Sequence, residues 1–168
     1  DLDLEDYDLS LNFSYRERLV IRQCKNYGNV TGKTDYVGGI AGEMNLGSIM
    51  ECLSSGQITG SGAMIGGIAG YSSSTIRSSS AKCSLKGDYQ IGGIAGYGTN
   101  ISNCYSMVQI SQGNYNLGSI AGNVSSDAVI SSNYFVEGGF AGIDGVSYGG
   151  KAQPQSEEHT SELQSRIW

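Results

Sequence analysis

The chain has 168 residues, of which 26 are glycine and only one is proline, and its net charge at neutral pH is −6. Most of the negative charge lies in residues 1–8 and from 156 onward, so residues 9–155 are nearly neutral, with eight acidic and nine basic side chains. The absence of a basic stripe argues against nucleic acid as a partner. No apolar run approaches the roughly 18 residues of a membrane span, which argues against membrane insertion.

Residues 1–20 precede the first complete repeat, and we interpret them as a partial upstream rung or a linker. The chain starts without Met and in mid-pattern, so we expect it to be a piece of a longer protein. Abundant glycine and serine can indicate disorder, but regularly placed Ile, Val and Leu and the 11 tyrosines give every segment something to bury. We therefore expect an ordered chain.

A glycine phrase repeats along residues 21–136. Gly-Gly-Ile-Ala-Gly occupies 38–42, 66–70 and 92–96, and Gly-Ser-Ile-Ala-Gly occupies 118–122, in steps of 28, 26 and 26 residues. A fixed period of this size indicates a repeat architecture in which each unit buries its apolar face against its neighbours. The structural glycines of the repeat are Gly38, Gly39, Gly42, Gly66, Gly67, Gly70, Gly92, Gly93, Gly96, Gly118 and Gly122.

Each unit contains three short apolar segments separated by Gly, Ser or Asn, a pattern typical of three short strands and three corners. No unit has the apolar spacing of a helix, and a propeller blade needs a longer period of about 40 residues. The predicted fold class is therefore all-β: a parallel β-helix (β-solenoid) with about three strands per 26–28-residue rung and four to five rungs.

The glycine pair is expected at a corner. Large apolar residues flank it on both sides, as Val37 and Ile40 do in the first copy. A bulge or a positive φ at the glycines would return both side chains to the interior. The last glycine of each phrase, such as Gly42, is expected at the next corner, where a Cβ would crowd the stacked copy.

Three cysteines, Cys24, Cys52 and Cys104, share one repeat position, and Ser79 replaces cysteine in the third unit. Stacked rungs would arrange them along a line, whereas zinc needs ligands that converge on a point. Adjacent rungs would bring Cys24 close enough to Cys52 for a disulfide bond. Free, buried thiols fit the same pattern, because cysteine is among the most buried residue types.

Three other patterns suggest chemistry but fall short of it. Residues 28–34 miss a phosphate loop by one position, since Tyr27 stands where the first glycine would be. Residues 138–144 resemble a calcium nonapeptide with one extra residue, and a single such turn cannot complete an oxygen shell; a degenerate last rung explains them better. Asp35 and Asp88 precede the glycine phrase and are interpreted as turn residues that bond their own backbone. We predict no catalytic residue, no metal and no cofactor, and hence no enzyme.

Four tyrosines flank the glycine phrase at repeated positions. Tyr71 and Tyr97 follow it directly, and Tyr89 and Tyr115 lie three residues before it. Such columns would either form an exposed aromatic stripe that stacks on sugars or on a protein partner, or simply cover the corners of the rungs. The sequence leaves both readings open.

The C-terminal part departs from the repeat. Residues 137–155 are expected to form a degenerate closing rung or cap. Residues 156–165 resemble the translation of a sequencing adapter, so we interpret 156–168 as a non-native tail. The only histidine, His159, and the only tryptophan, Trp168, lie in this tail, which leaves the repeats without an imidazole.

The repeat unit as a whole, Cys-x-Asn/Ser-x-Gly-x-Val/Ile followed by Val/Ile-Gly-Gly-Ile-Ala-Gly, resembles the GLUG-type repeat of bacterial surface proteins over about residues 21–136. That family includes large surface adhesins and the non-catalytic regions of IgA-specific metallopeptidases, whose His-Glu-x-x-His motif is absent here. The resemblance implies an extracellular location at the cell surface or cell wall.

The same resemblance implies a structural spacer or adhesive segment. The expected partners are a host or neighbour-cell protein or glycan, and adjacent domains of the same chain. The alternative is an accessory or substrate-recognition domain of a secreted peptidase or glycan-degrading enzyme.

Overall fold

The computed structural model describes residues 19–136 and 140–143, and the backbone of 152–155. Within these ranges there is no helix, and every strand pairing is parallel. The chain is a β-solenoid of about four turns, as the sequence predicts.

The strands follow one another rung by rung. The first rung holds β1 (Val20–Arg22), β2 (Lys25–Asn26), β3 (Val30–Thr31) and β4 (Val37–Gly38). The second holds β5 (Ala41–Met44), β6 (Ser48–Met50), β7 (Leu53–Thr59) and β8 (Ala63–Gly66). The third holds β9 (Ala69–Arg77), β10 (Ser80–Lys86) and β11 (Tyr89–Gly92). The fourth holds β12 (Ala95–Ser102), β13 (Tyr105–Ser106), β14 (Gln109–Gln112) and β15 (Tyr115–Gly118). After these come β16 (Ala121–Ser131), β17 (Asn133–Val136) and β18 (Ala152–Gln155).

Each strand lies beside its own copy from the next rung, which produces three sheets along the rod. Sheet A has the order β1-β6-β9-β12-β16, with β5 also paired to β9. Sheet B has the order β18-β17-β13-β10-β7-β2, with β3 on β7 and β14 on β10. Sheet C has the order β15-β11-β8-β4. The chain visits the sheets in the order A, B, C and then returns to A.

Columns of like residues fill the core, because in-register stacking places each side chain on its equivalent in the next rung. Sheet A contributes Ile49, Ile76, Ile101 and Ile130; sheet B contributes Ile58 and Leu85; sheet C contributes Val37, Ile65 and Ile91; the corner between C and A contributes Ile68, Ile94 and Ile120. Each is nearly or fully inaccessible to solvent. Burying one such side chain stabilises the fold by about 1.5–3 kcal/mol.

The glycine pair forms the corner between sheets C and A, as expected. Among the described glycines only Gly47 and Gly56 have a positive φ, so of the two alternatives, a bulge or a positive φ, the positive φ is excluded at the pair. The requirement is space: a Cβ on Gly67 would overlap the carbonyl oxygen of Gly93 and approach the Cβ of Ala81 to 2.7 Å. The corner packs against the inner side of sheet B, where small residues receive it.

We expected the last glycine of each phrase at the next corner, and this is wrong: it is the second residue of a sheet A strand. There it faces the backbone of sheet C. A Cβ on Gly96 would lie 2.5 Å from the amide nitrogen of Ile65 and 2.6 Å from the Cα of Met64. Sheets A and C therefore touch backbone to backbone along this line, and only glycine permits that distance.

Two positions in each rung, one at the corner between sheets A and B and one in sheet C, hold a non-glycine residue with a positive φ. One directly precedes the cysteine column: Gln23, Glu51, Ser78, Asn103 and Ser132, with φ between 51° and 55°. The other lies two residues before the glycine pair: Tyr36, Met64, Gln90 and Asn116, with φ between 53° and 63°. For residues with a Cβ this conformation costs roughly 1–2 kcal/mol each. Asn103 and Asn116 are of a type that favours this region, but Gln, Glu and Met are not, so the side chains do not mark the position in every rung.

The C-terminal part continues the stacking where the structure describes it. Ser119 and Ile120 donate backbone hydrogen bonds to the carbonyls of Ala141 and Gly142, at 2.8 Å each, and β17 pairs with β18. The proposed boundaries at 1–20 and 137–155 lie partly outside the described residues. The adapter-like tail 156–168, with His159 and Trp168, lies wholly outside them.

The corner packing predicts the effect of Gly67→Ala. The added methyl group meets the backbone of the next rung, so we expect the free energy of unfolding to fall by about 3 kcal/mol, the upper part of the range for overpacking. Gly28→Ala is the matched control, because its Cβ would meet only Asn26 Oδ1 at an ordinary 3.5 Å. Urea denaturation of the full chain measures both. Equal midpoints for the two variants would contradict the packing argument.

The backbone strain predicts a stabilising change. Ser78→Gly relieves the positive φ of 51° and should raise the free energy of unfolding by about 1 kcal/mol. Ser84→Gly, within strand β10, should instead lower it by about 0.5–1 kcal/mol. The same urea titration distinguishes the two. A loss of stability in Ser78→Gly as large as in Ser84→Gly would show that the corner is not strained.

Candidate functional site

The cysteine column lies at the corner between sheets A and B and contains Cys24, Cys52, Ser79, Cys104 and Asn133. The cysteines and Ser79 of this column bond the carbonyl two residues earlier, whereas Asn133 donates to the Ile101 carbonyl at 2.8 Å. Cys52 Sγ lies 3.3 Å from the Met50 oxygen, Ser79 Oγ 3.0 Å from the Arg77 oxygen, and Cys104 Sγ 3.3 Å from the Ser102 oxygen. The shared property is a short donor, which satisfies a carbonyl beside the strained corner residue. Serine replaces cysteine at 79 without changing that interaction.

All four cysteines are free thiols. Cys24 is exposed in the first described rung, contrary to the expectation of burial, because no described rung covers it from the N-terminal side; Cys52, Cys83 and Cys104 are buried. Burial raises the pKa of Cys104 to about 12 and raises the pKa of Cys52 and of Cys83. The three buried thiols therefore stay protonated at neutral pH, and the thiolate needed for nucleophilic or metal-binding chemistry does not form.

The two aspartates near the glycine phrase serve neighbouring rungs rather than their own turn, so the expectation of local bonding is wrong. Asp35 Oδ1 accepts a hydrogen bond from the Ala63 amide at 2.7 Å. Asp88 Oδ1 accepts one from the Asn114 amide group. Carboxylates here lie next to the following rung, and its amide groups are the donors that they bond. They do not form a carboxylate pair.

Two sequence patterns remain, the phosphate-loop-like frame 28–34 and the calcium-like stretch 138–144. The frame 28–34 contains strand β3, whose Val30 lies beside Ile58 of the next rung, so it is a rung segment. In the calcium-like stretch 138–144, Gly138, Gly139 and Asp144 lie outside the described residues. No three His, Cys, Asp or Glu side chains in the described part of the chain are grouped to hold a metal ion.

The tyrosines stack on each other. The rings of Tyr71 and Tyr97 lie 5.3 Å apart between centroids with an interplanar angle of 10°, and those of Tyr89 and Tyr115 lie 4.8 Å apart at 11°. Tyr36 meets Tyr71 edge-on at 5.9 Å. Within each pair one face of each ring is covered by its partner, so the columns present ring edges and hydroxyl groups rather than a continuous flat surface. Tyr115 is 56% exposed.

A feature that the sequence did not reveal is a polar groove at the corner between sheets B and C. It has a volume of about 420 Å³. Its lining residues are Thr59, Gly60, Ser61, Lys86, Gly87, Asp88, Gln112 and Asn114. Apart from the glycines, they differ in type from rung to rung, so no repeated motif marks the polar side chains, and only the strand register brings them together.

Comparison with known proteins identifies no relative: no protein-family model, curated protein or solved structure matches this chain. Among the described residues no helix is long and apolar enough to cross a membrane.

The raised pKa of Cys104 predicts a pH dependence of stability. Its ordinary value is 9.0, so between about pH 9 and 12 the unfolded chain loses this proton while the folded chain keeps it. Stability that is fully present below pH 9 is therefore lost as the pH rises through that window. Cys104→Ser removes the titrating group and keeps the short donor that Ser79 already provides in the same column.

We expect the free energy of unfolding to fall less steeply from pH 8 to 10.5 in Cys104→Ser than in the parent chain, measured by urea denaturation at each pH. Parallel slopes for the parent and Cys104→Ser would contradict the assignment.

Proposed function

We propose that this chain is a non-catalytic extracellular repeat module of a bacterial surface protein, which spaces and presents neighbouring modules and contacts a host or neighbour-cell protein or glycan. The proposal follows the resemblance to GLUG-type repeats. It is supported by the way the rungs use their chemically distinctive side chains.

The observation that carries the proposal is that these side chains serve the stacking of rungs. Buried thiols bond corner carbonyls, Asp35 bonds the backbone of the next rung, and the glycines allow backbone contact. A catalytic centre needs a unique group of residues that converge on one point. A spacer needs one unit repeated along an axis, and its length scales with the number of rungs.

The mechanical part of the function follows from the backbone ladders. Four rungs at about 4.8 Å give a rod of about 20 Å. Hydrogen bonds join each rung to the next in all three sheets, as from Ile68 to Ile94 and from Ile94 to Ile120 at the glycine corner. Rungs added upstream or downstream would lengthen the rod without changing its cross-section.

The adhesive part rests on the tyrosine columns. Tyr71 and Tyr97 are half-buried and present ring edges and hydroxyl groups on the outside of sheet A. The body of the chain is nearly neutral, so contacts here are apolar and hydrogen-bonded rather than ionic. Such binding changes little with salt concentration, unlike binding to a charged groove.

Display of the full chain on a non-adherent bacterium tests this function. We expect display to raise adherence to host or neighbouring cells, with little change on addition of salt. Tyr71→Ser/Tyr97→Ser should reduce adherence to background and, by removing one ring stack, cost about 1 kcal/mol of stability.

Tyr71→Phe/Tyr97→Phe is the control for folding, because it keeps the stacked rings and removes only the hydroxyl groups. If the serine variant adheres as well as the parent chain, the tyrosines are structural. If display itself adds no adherence, the adhesive part of the proposal is rejected and the spacer part remains.

A further inference from the structure

The groove at the B–C corner runs along the rod over three consecutive rungs. One wall is the column Thr59, Lys86 and Gln112, the last residues of β7, β10 and β14, which the register places side by side. Asp88 and Asn114, which lie at the start of sheet C in successive rungs, form the other wall. The groove therefore has the direction and the period of the solenoid itself.

Glycine at the corner explains why the groove is open. The position between the two walls is glycine in these rungs, as Gly60 and Gly87. A Cβ on Gly87 would point inward, 2.6 Å from Ile65 Cγ1 and 3.2 Å from Ile91 Cδ1, and one on Gly60 would overlap Ile65 Cδ1. The core forbids a side chain here, so the floor stays bare while the walls on both sides carry long polar groups.

Three of the five wall side chains are free to bind. Within the described residues, Thr59, Lys86 and Gln112 make no side-chain hydrogen bond, and Asp88 and Asn114 bond only each other. Together they offer hydroxyl, amide, ammonium and carboxylate groups, a mixture of donors and acceptors. Sugar hydroxyl groups both donate and accept, so they match such a mixture. Lys86 and Asp88 carry opposite charges, so the groove has no net charge to select an ionic ligand.

An aromatic pair adjoins the groove. Tyr89 and Tyr115 directly follow Asp88 and Asn114 in the chain, and their rings stack at 4.8 Å. Tyr115, largely exposed, leaves ring surface available for the apolar C–H groups of a sugar. The rung spacing of about 4.8 Å is also close to the distance that one pyranose adds to an extended glycan.

We propose that this groove binds a neutral, linear glycan that lies along the rod axis, with about one sugar unit per rung across the three rungs. The volume of about 420 Å³ lies in the range of natural ligand sites. This inference rests on the adhesive part of the proposed function and names its ligand class and its site. It does not depend on Tyr71 and Tyr97, which lie on sheet A.

Titration of the isotope-labelled full chain with oligosaccharides, followed by amide chemical shifts, tests the inference. The probes are β-1,4-linked oligomers of glucose, of mannose and of N-acetylglucosamine, from monosaccharide to hexasaccharide. We expect shifts at residues 59–61, 86–88 and 112–114 with at least one series, and an affinity that rises up to the trisaccharide and then levels off.

Two matched variants locate the site. Lys86→Ala/Gln112→Ala removes the free side chains of one wall and should weaken binding at least about tenfold. Gln57→Ala/Gln109→Ala changes two exposed amides that lie outside the groove, on either side of Ser84 in the register of sheet B. Ser84 is two residues before Lys86, so this double variant should leave the affinity unchanged. Both changes are on the surface, and a denaturation curve of each variant checks that the fold is retained.

The inference is overturned if none of the three series shifts the groove residues, or if a monosaccharide binds as tightly as a trisaccharide. It is also overturned if both variants bind as well as the parent chain. Loss of cell adherence in Tyr71→Ser/Tyr97→Ser with no glycan binding at the groove would leave the proposed function in place and reject this site alone.

Discussion

The structure depends on direct backbone contact at the glycine phrase. A Cβ on Gly66 would overlap the Ala69 carbonyl oxygen, and a Cβ on Gly122 would lie 2.5 Å from the amide nitrogen of Ile91. Sheet C turns back onto sheet A with no space for a side chain between them. Each rung makes the same turn, and this holds the strands in register. The columns of equivalent residues in the core, at the corners and on the surface follow from that register.

This tight turn is accompanied by a local energetic cost in the backbone. Each rung keeps two residues with a Cβ in a left-handed conformation, at a cost of roughly 1–2 kcal/mol each. Buried isoleucine columns and short donors to corner carbonyls oppose that cost. Strain of this kind persists only where the surroundings determine the backbone. In this rod the rungs above and below do so, which makes the strain a property of stacking rather than of a functional site.

In-register stacking also limits the kind of site the rod can carry. Equivalent residues are spread along a line, so the cysteines do not converge as zinc ligands would, and the tyrosines cover each other's ring faces. The same geometry favours an extended partner that meets one contact per rung. The groove at the B–C corner has this form, because a bare glycine floor separates a polar wall that continues over three rungs from a second polar wall in two of them. A linear ligand suits such a surface better than a compact one.

Much of the fold was predictable from the sequence because stacking converts sequence period directly into position. The 26–28-residue step, the three faces of each rung, the corner at the glycine pair and the equivalence of Cys24, Cys52 and Cys104 all follow from that relation. Tertiary structure decided what depends on contacts between unlike residues. The left-handed conformation of Glu51 and Met64 has no side-chain signature, and Asp35 bonds an amide 28 residues away instead of its own turn. Thr59, Lys86 and Gln112 share no chemistry that would align them; they form one wall only because backbone hydrogen bonds fix the register of β7, β10 and β14.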